Sequence, residues 1–232
     1  MLNIKIMIVG ASGGIGKFLT KNFDINSNEL YLTYNTSKDK IYKTRFAETY
    51  ISQCNFMRKN DVEEVFSKIE SLDVLINVIG TVENNLIARM SEEEWDNVIS
   101  SNLKTVYLSC RYGISKIVEN GHIINFSSIL GSTGMIGASN YVASKGAVEA
   151  FTKSFALECL HNNRVFVNTI ALGYFKIGMG LNLTNKISNM IKEKIPLKEF
   201  GEPDEIFKLV EYILSSKYLI GQIIHLNGGL YI

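Results

Sequence analysis

Tyr141 and Lys145 stand four residues apart at the start of a stretch with helical period, so both side chains lie on one face about one turn apart. An ammonium beside a phenol favours the phenolate. It lowers a pKa that starts at about 10 and makes the tyrosine usable as an acid or base nearer neutrality. The same spacing recurs at Tyr34/Lys38 and Tyr112/Lys116 in a chain with 11 tyrosines, so position must discriminate among the pairs. Tyr141 follows an apolar run, Ile123 to Phe126, which ends in Ser127-Ser128 and a glycine-bearing loop. Ligands of open α/β sheets sit at the carboxyl ends of such strands.

A second group of residues can hold an anion. Gly10-Ala11-Ser12-Gly13-Gly14-Ile15-Gly16 follows an apolar run and precedes the helical pattern Lys17 to Phe23. Glycines there permit a tight turn and close approach of backbone to a pyrophosphate, while a helix N-terminus offers unpaired N–H groups. The spacing G-x-x-x-G-x-G across Gly10, Gly14 and Gly16 differs from the G-x-G-x-x-G fingerprint. It also lacks the Lys-Ser/Thr ending of a P-loop, which argues against ATP chemistry. About 20 residues on, where an NAD site commonly places an acid, the chain reads Tyr34-Asn35-Thr36-Ser37-Lys38. With no carboxylate to repel a 2′-phosphate, and with Asn35, Thr36, Ser37 and Lys38 as donors, this stretch favours NADP(H) over NAD(H).

Such residues need a frame. Short apolar runs at Ile4 to Val9, Glu29 to Tyr34, Thr49 to Cys54, Val74 to Val78, His122 to Ser127, Arg164 to Ala171 and Gln222 to Leu226 alternate with helical segments. The clearest helices are Ser91 to Lys116, Tyr141 to Leu160 and Pro203 to Ser215, and Ser91 with Glu94 has capping-box spacing. The pattern predicts a three-layer, doubly wound (Rossmann-type) α/β fold around a parallel seven-stranded sheet, in one domain over residues 1–232. The least periodic segment, with Gly173, Gly178 and Gly180, is a lid candidate at about 174–200. There Met179, Leu181, Leu183, Ile187, Met190 and Ile191 are expected to form an apolar inner surface.

Composition narrows the partners. The chain has 232 residues, 24 Lys+Arg against 23 Asp+Glu, and a formal charge of +1, which supplies no broad electrostatic footprint for nucleic acid or an anionic membrane. Cys54, Cys110 and Cys159 are far apart, suggesting neither a disulfide framework nor a metal site, and a reducing, cytoplasmic setting is expected. His122, His161 and His225 are isolated and read as structural.

With these motifs in register, the chain resembles the short-chain dehydrogenase/reductase family in its classical single-domain form. The motifs are Gly10-x-x-x-Gly14-x-Gly16, Asp73 to Gly80, Asn102, Ser128, Tyr141-x-x-x-Lys145 and Asn227-Gly228-Gly229. The resemblance implies hydride transfer between a nicotinamide and a carbonyl or secondary alcohol. It implies catalytic roles for Asn102, Ser128, Tyr141 and Lys145. Tyr141 would donate the proton, Ser128 would bond the substrate oxygen, Lys145 would hold the ribose, and Asn102 would anchor a water leading from Lys145 to solvent. It also implies cofactor contacts from Gly10, Ser12, Gly13, Gly14, Ile15, Gly16, Asn55, Asn77, Gly80 and Gly173. Val78, Leu172 and Ile177 depart from the family pattern, as does Asn55, which replaces a frequent aspartate. Around Gly201 to Ile206 and the final glycines the chain is most similar to 3-oxoacyl-carrier-protein reductases. The expected substrate is a small-molecule or acyl-carrier-linked ketone, with sugar or polyol dehydrogenation and a silent nucleotide-binding homologue as alternatives. The long apolar-faced helices resemble those with which the family builds dimers and tetramers.

Overall fold

The computed structural model describes residues 4–25, 28–178 and 184–232. Seven parallel strands run in the order β3-β2-β1-β4-β5-β6-β7. They are β1 (Lys5–Val9), β2 (Glu29–Tyr34), β3 (Glu48–Gln53), β4 (Leu72–Asn77), β5 (Ile117–Ser128), β6 (Phe166–Leu172) and β7 (Ile223–Leu226). The order reverses between β1 and β4, and that reversal opens a crevice at the carboxyl ends of the strands. All seven expected strands form. β5 is the one that differs most, beginning at Ile117, five residues earlier than the apolar run suggested.

Alternating side chains of the buried strands feed two apolar layers. Met7, Val9, Leu75, Ile123 and Val167 pack on one face with α2 (Lys59–Ser67), α4 (Thr105–Gly113) and α6 (Ser139–Asn163) through Phe66, Val106 and Val148. Ile6, Ile8, Leu32, Ile76 and Ile124 pack on the other with α1 (Gly14–Asp24) and α8 (Pro203–Ser215) through Leu19, Phe23, Ile206 and Val210. This is the three-layer arrangement that near-continuous apolar strands require, because both sheet faces must be covered.

Three local features position the site. The capping box expected at Ser91 and Glu94 is present and starts α3 (Glu92–Ile99). The run from Ser91 to Lys116 is not one regular helix: residues Ser100–Lys104 form a π-helical turn between α3 and α4. Such turns need an inserted residue held by an outside partner, and Asn102 occupies this one. Finally, α5 (Leu130–Thr133) follows β5, packs on α6, and leads through a loop to Tyr141. α7 (Asn185–Lys194) lies in the lid segment. Met179, Leu181 and Leu183, expected on its inner face, lie outside the described residues.

Candidate active site

The glycine turn rises from β1 with Gly10 at φ +92°, a backbone conformation that favours glycine. Gly13 caps α1 without a side-chain bond to the helix, so the first N–H groups of α1 are free for an anion. A Cβ on Gly16 would collide with the Gly10 carbonyl and lie 2.8 Å from the Ala11 Cα, so this glycine closes the turn rather than facing a ligand. A Cβ on Gly14 would lie 2.6 Å from the Gly178 Cα; Gly14 is where the segment after β6 rests on α1.

Two cavities share Val78, Ile79 and Gly80 and together form one groove along the sheet rim. The first, about 240 Å³, is lined by Gly10, Ser12, Gly13, Asn35 and Asn55. The second, about 390 Å³, carries Ile15, Gly173, Ser128, Tyr141 and Lys145, with Phe175, Ile187 and Ile191 among its apolar walls. The groove, the uncapped helix terminus and the glycine turn suit an elongated dinucleotide, with the phosphates at the N-terminus of α1.

At the base of the larger cavity, Ser128 ends β5 and Tyr141 lies in the first turn of α6. The Ser128 Oγ accepts from the Leu130 N–H at 3.2 Å, which leaves its own proton to donate. Lys145 is buried, and its Nζ donates to the Phe126 carbonyl at 2.9 Å while standing 5.8 Å from the centre of the Tyr141 ring. Burial pushes the Lys145 ammonium down to about 8, opposed by the charge of Glu149. The expectation that Lys145 would depress the Tyr141 phenol is corrected here. Burial raises the phenol above its ordinary value, and Tyr174 adds to this, while the hydrogen bond with Ser128 acts in the opposite direction. The physical reason is that burial penalises the charged phenolate.

Asn102 is held by protein partners on both ends of its amide. Its Oδ1 accepts from the Thr81 N–H at 2.8 Å, and its Nδ2 donates to the Thr81 carbonyl at 3.0 Å and to the Ser144 Oγ at 2.9 Å. Both amide protons are therefore spent on protein, and the side chain braces residues 78–81.

Other expected contacts separate into those at the groove and those away from it. Asn77 is turned into the interior, where its Nδ2 donates to the Asn125 Oδ1 at 2.8 Å and its Oδ1 accepts from the Ser109 hydroxyl at 2.6 Å. It lines neither cavity, because the pleat points it at α4. Asn55 reaches the groove, but its Oδ1 accepts from the Met57 N–H at 3.0 Å in a local turn. Asn35 lines the groove, whereas Thr36, Ser37 and Lys38 continue past it into a short 3-10 turn over Lys38–Lys40. Met190 is 57% exposed and does not line the cleft; Ile187 and Ile191 do. The three departures, Val78, Leu172 and Ile177, all line the larger cavity and make its wall more apolar.

Sequence reasoning passed over Ser144, which links Asn102 to α6, and Glu149, which accepts from Ser127. The signal available for Glu149 was its place one helical turn beyond Lys145, where opposite charges meet.

A parallel sheet whose strand order reverses, with an alcohol, a phenol and an ammonium gathered beside a glycine-rich turn, defines a nicotinamide-dependent alcohol–carbonyl oxidoreductase. The chain belongs to the short-chain dehydrogenase/reductase family: residues 10–231 match the family model described as Enoyl-(Acyl carrier protein) reductase. It is 36% identical over 244 residues to a 3-oxoacyl-[acyl-carrier-protein] reductase of Staphylococcus epidermidis, covering 99% of this chain and 100% of that protein. It is 34% identical over 230 residues to the protein of the same name from Rickettsia typhi, covering 97% and 95%. A dehydrogenase/reductase from Sinorhizobium meliloti superimposes with a TM-score of 0.92 over 100% of this chain and 96% of that one, at 21% identity, a likeness of fold.

Proposed function

We propose that this protein is an NADP(H)-dependent ketoreductase that reduces the ketone of a 3-oxoacyl-type or related carbonyl substrate to a secondary alcohol. The observation that carries the reading is the meeting of Ser128, Tyr141 and Lys145 at the base of an apolar cleft continuous with the glycine-turn groove. A bound nicotinamide supplies the hydride. Ser128 donates a hydrogen bond to the carbonyl oxygen, where charge accumulates, and Tyr141 gives that oxygen its proton. The phenol is protonated at neutral pH and so carries the proton it gives, while its hydrogen bond with Ser128 works against the rise that burial causes. Lys145 holds the ribose hydroxyls, and Gly10, Ser12, Gly13, Ile15 and Asn35 face the rest of the dinucleotide.

The apolar walls favour an acyl chain over a sugar or polyol, whose hydroxyls would be left without partners. The relatives' names, which specify an acyl-carrier-linked ketone, support the same choice. Preference for NADP(H) rests on the stretch Asn35 to Lys38 directly after β2, which carries donors and no carboxylate and of which Asn35 lines the groove. We place the protein in the cytoplasm, in keeping with three buried free cysteines, as a single domain with a lid over 174–200. We expect a homo-oligomer formed by the faces of α4 and α6 that expose Tyr107 and Leu157.

The test is fluorescence titration with NADPH and NADH, followed by cofactor oxidation against 3-oxoacyl, enoyl and sugar substrates. Tighter NADPH binding and turnover of the 3-oxoacyl substrate are expected. Tyr141→Phe should bind NADPH as wild type does and lose about 10²- to 10⁴-fold in rate. Equal rates for wild type and variant would reject the mechanism, and turnover of the enoyl substrate alone would reject the substrate.

A further inference from the structure

Glu149 lies on α6 one turn beyond Lys145, and its half-buried carboxylate meets the end of β5. The Ser127 Oγ donates to its Oε1 at 2.7 Å and lies 3.1 Å from the Lys145 carbonyl. α5 leaves room for this group: a Cβ on Gly131 would sit 3.0 Å from the Glu149 Oε1 and 3.0 Å from the Gly146 N. Lys145 gives its own hydrogen bond to the Phe126 carbonyl, so carboxylate and ammonium flank the same stretch of β5, Phe126 to Ser128, without direct contact. We propose that Glu149 is a positioning residue for the reaction, tethering Ser127 beside Ser128 and serving as the counter-charge to the buried Lys145.

Among the described residues, the titratable groups facing Lys145 are Tyr141 and Glu149 on α6, with Tyr174 beyond Tyr141 after β6. β5, the 78–81 turn and the π-helical segment bring neutral groups only: the Phe126 carbonyl, Ser128, Gly80 and Asn102. Glu149 is thus the anion that offsets the burial of Lys145. This inference rests on the ketoreductase reading for its consequence in catalysis, but not for its physical core.

The experiment uses the full chain without cofactor, labelled with ¹³C and ¹⁵N in lysine and glutamate, with assignments from Lys145→Met and Glu149→Gln. In Glu149→Gln the Lys145 titration midpoint should fall by about 0.5 to 1 pH unit, while Ser127→Ala should leave it close to wild type. Should Glu149→Gln not fold, Glu149→Ala supplies a second measurement: the Lys145 midpoint should fall by a similar amount. A Lys145 midpoint unchanged in whichever variant folds would overturn the proposal. In the NADPH-linked assay, the alkaline limb of kcat/KM should move to lower pH in Glu149→Gln by the interval seen in the titration. A uniform loss at all pH values would mean a merely structural role and would overturn it. Absence of any carbonyl turnover by wild type would sink the ketoreductase reading while leaving both titrations to judge Glu149.

Discussion

Asn102 binds both main-chain groups of Thr81: its Oδ1 accepts from the Thr81 N–H at 2.8 Å and its Nδ2 donates to the Thr81 carbonyl at 3.0 Å. The amide works as a short strand partner for a turn whose residues 78–80 border both cavities. Asn102→Ala would leave two part-buried backbone groups without partners, at a cost of about 1–3 kcal/mol. Urea unfolding should report that loss. The dissociation constant for NADPH should rise about tenfold as the turn loosens, and an unchanged constant would show that the turn holds its shape alone.

Gly14 and Gly16 make contrasting predictions. A methyl on Gly16 meets backbone of the same turn, which cannot retreat, so Gly16→Ala should lower stability by about 2 kcal/mol or more. A methyl on Gly14 meets Gly178, in the segment after β6. Gly14→Ala should therefore change the melting temperature little, while weakening NADPH binding and turnover because Gly178 no longer seats on α1. Melting curves and cofactor titration of the two variants separate these outcomes.

Lys145 stores a cost to folding. Its ammonium titrates at about 8 when folded, because of burial, against about 10.4 for a free lysine. Between those values the unfolded chain binds more protons than the folded one, so stability rises with pH across that window and the full penalty applies below about pH 8. Lys145→Met should be more stable than wild type at pH 7 by about 1–2 kcal/mol, and inactive. Equal stability at pH 7 and pH 10 in wild type would contradict this.

His122 acts at the other end of the scale. It is buried beside Phe166 with its Nδ1 unpartnered, and burial, aided by Lys217, lowers its pKa to about 4. The unfolded imidazole titrates at about 6.5, so its contribution is fully present above that pH and is lost as pH falls toward 4. His122→Leu should flatten the pH dependence of the urea midpoint between pH 6.5 and 4; an identical slope in the variant would refute this.

The fold was largely legible along the chain because each element carries its own local cause. The buried strands alternate their apolar residues between two covered faces, Ser91 and Glu94 close a capping box, and Pro203 occupies the first turn of α8 exactly where the expected helix Pro203 to Ser215 begins. The spacing of Tyr141 and Lys145 and the position of Ser128 were equally readable, since a helix turn and a strand end are short-range facts.

What stayed hidden depends on partners distant in sequence. Ser91 to Lys116 reads as one helix, yet Asn102 is drawn into a π turn by Thr81, 21 residues earlier, and by Ser144, 42 residues later. Asn77 carries a family word but faces Asn125 and Ser109, a matter of which way the pleat points. Gly14 reads as a phosphate glycine until Gly178 is found against it.

Residue type and spacing thus specify which groups this protein brings to its chemistry and the sheet that carries them, because periodicity and capping act within a few residues. Packing sets the protonation of those groups: a phenol raised and an ammonium lowered both follow from burial, which exists only once the chain has closed on itself.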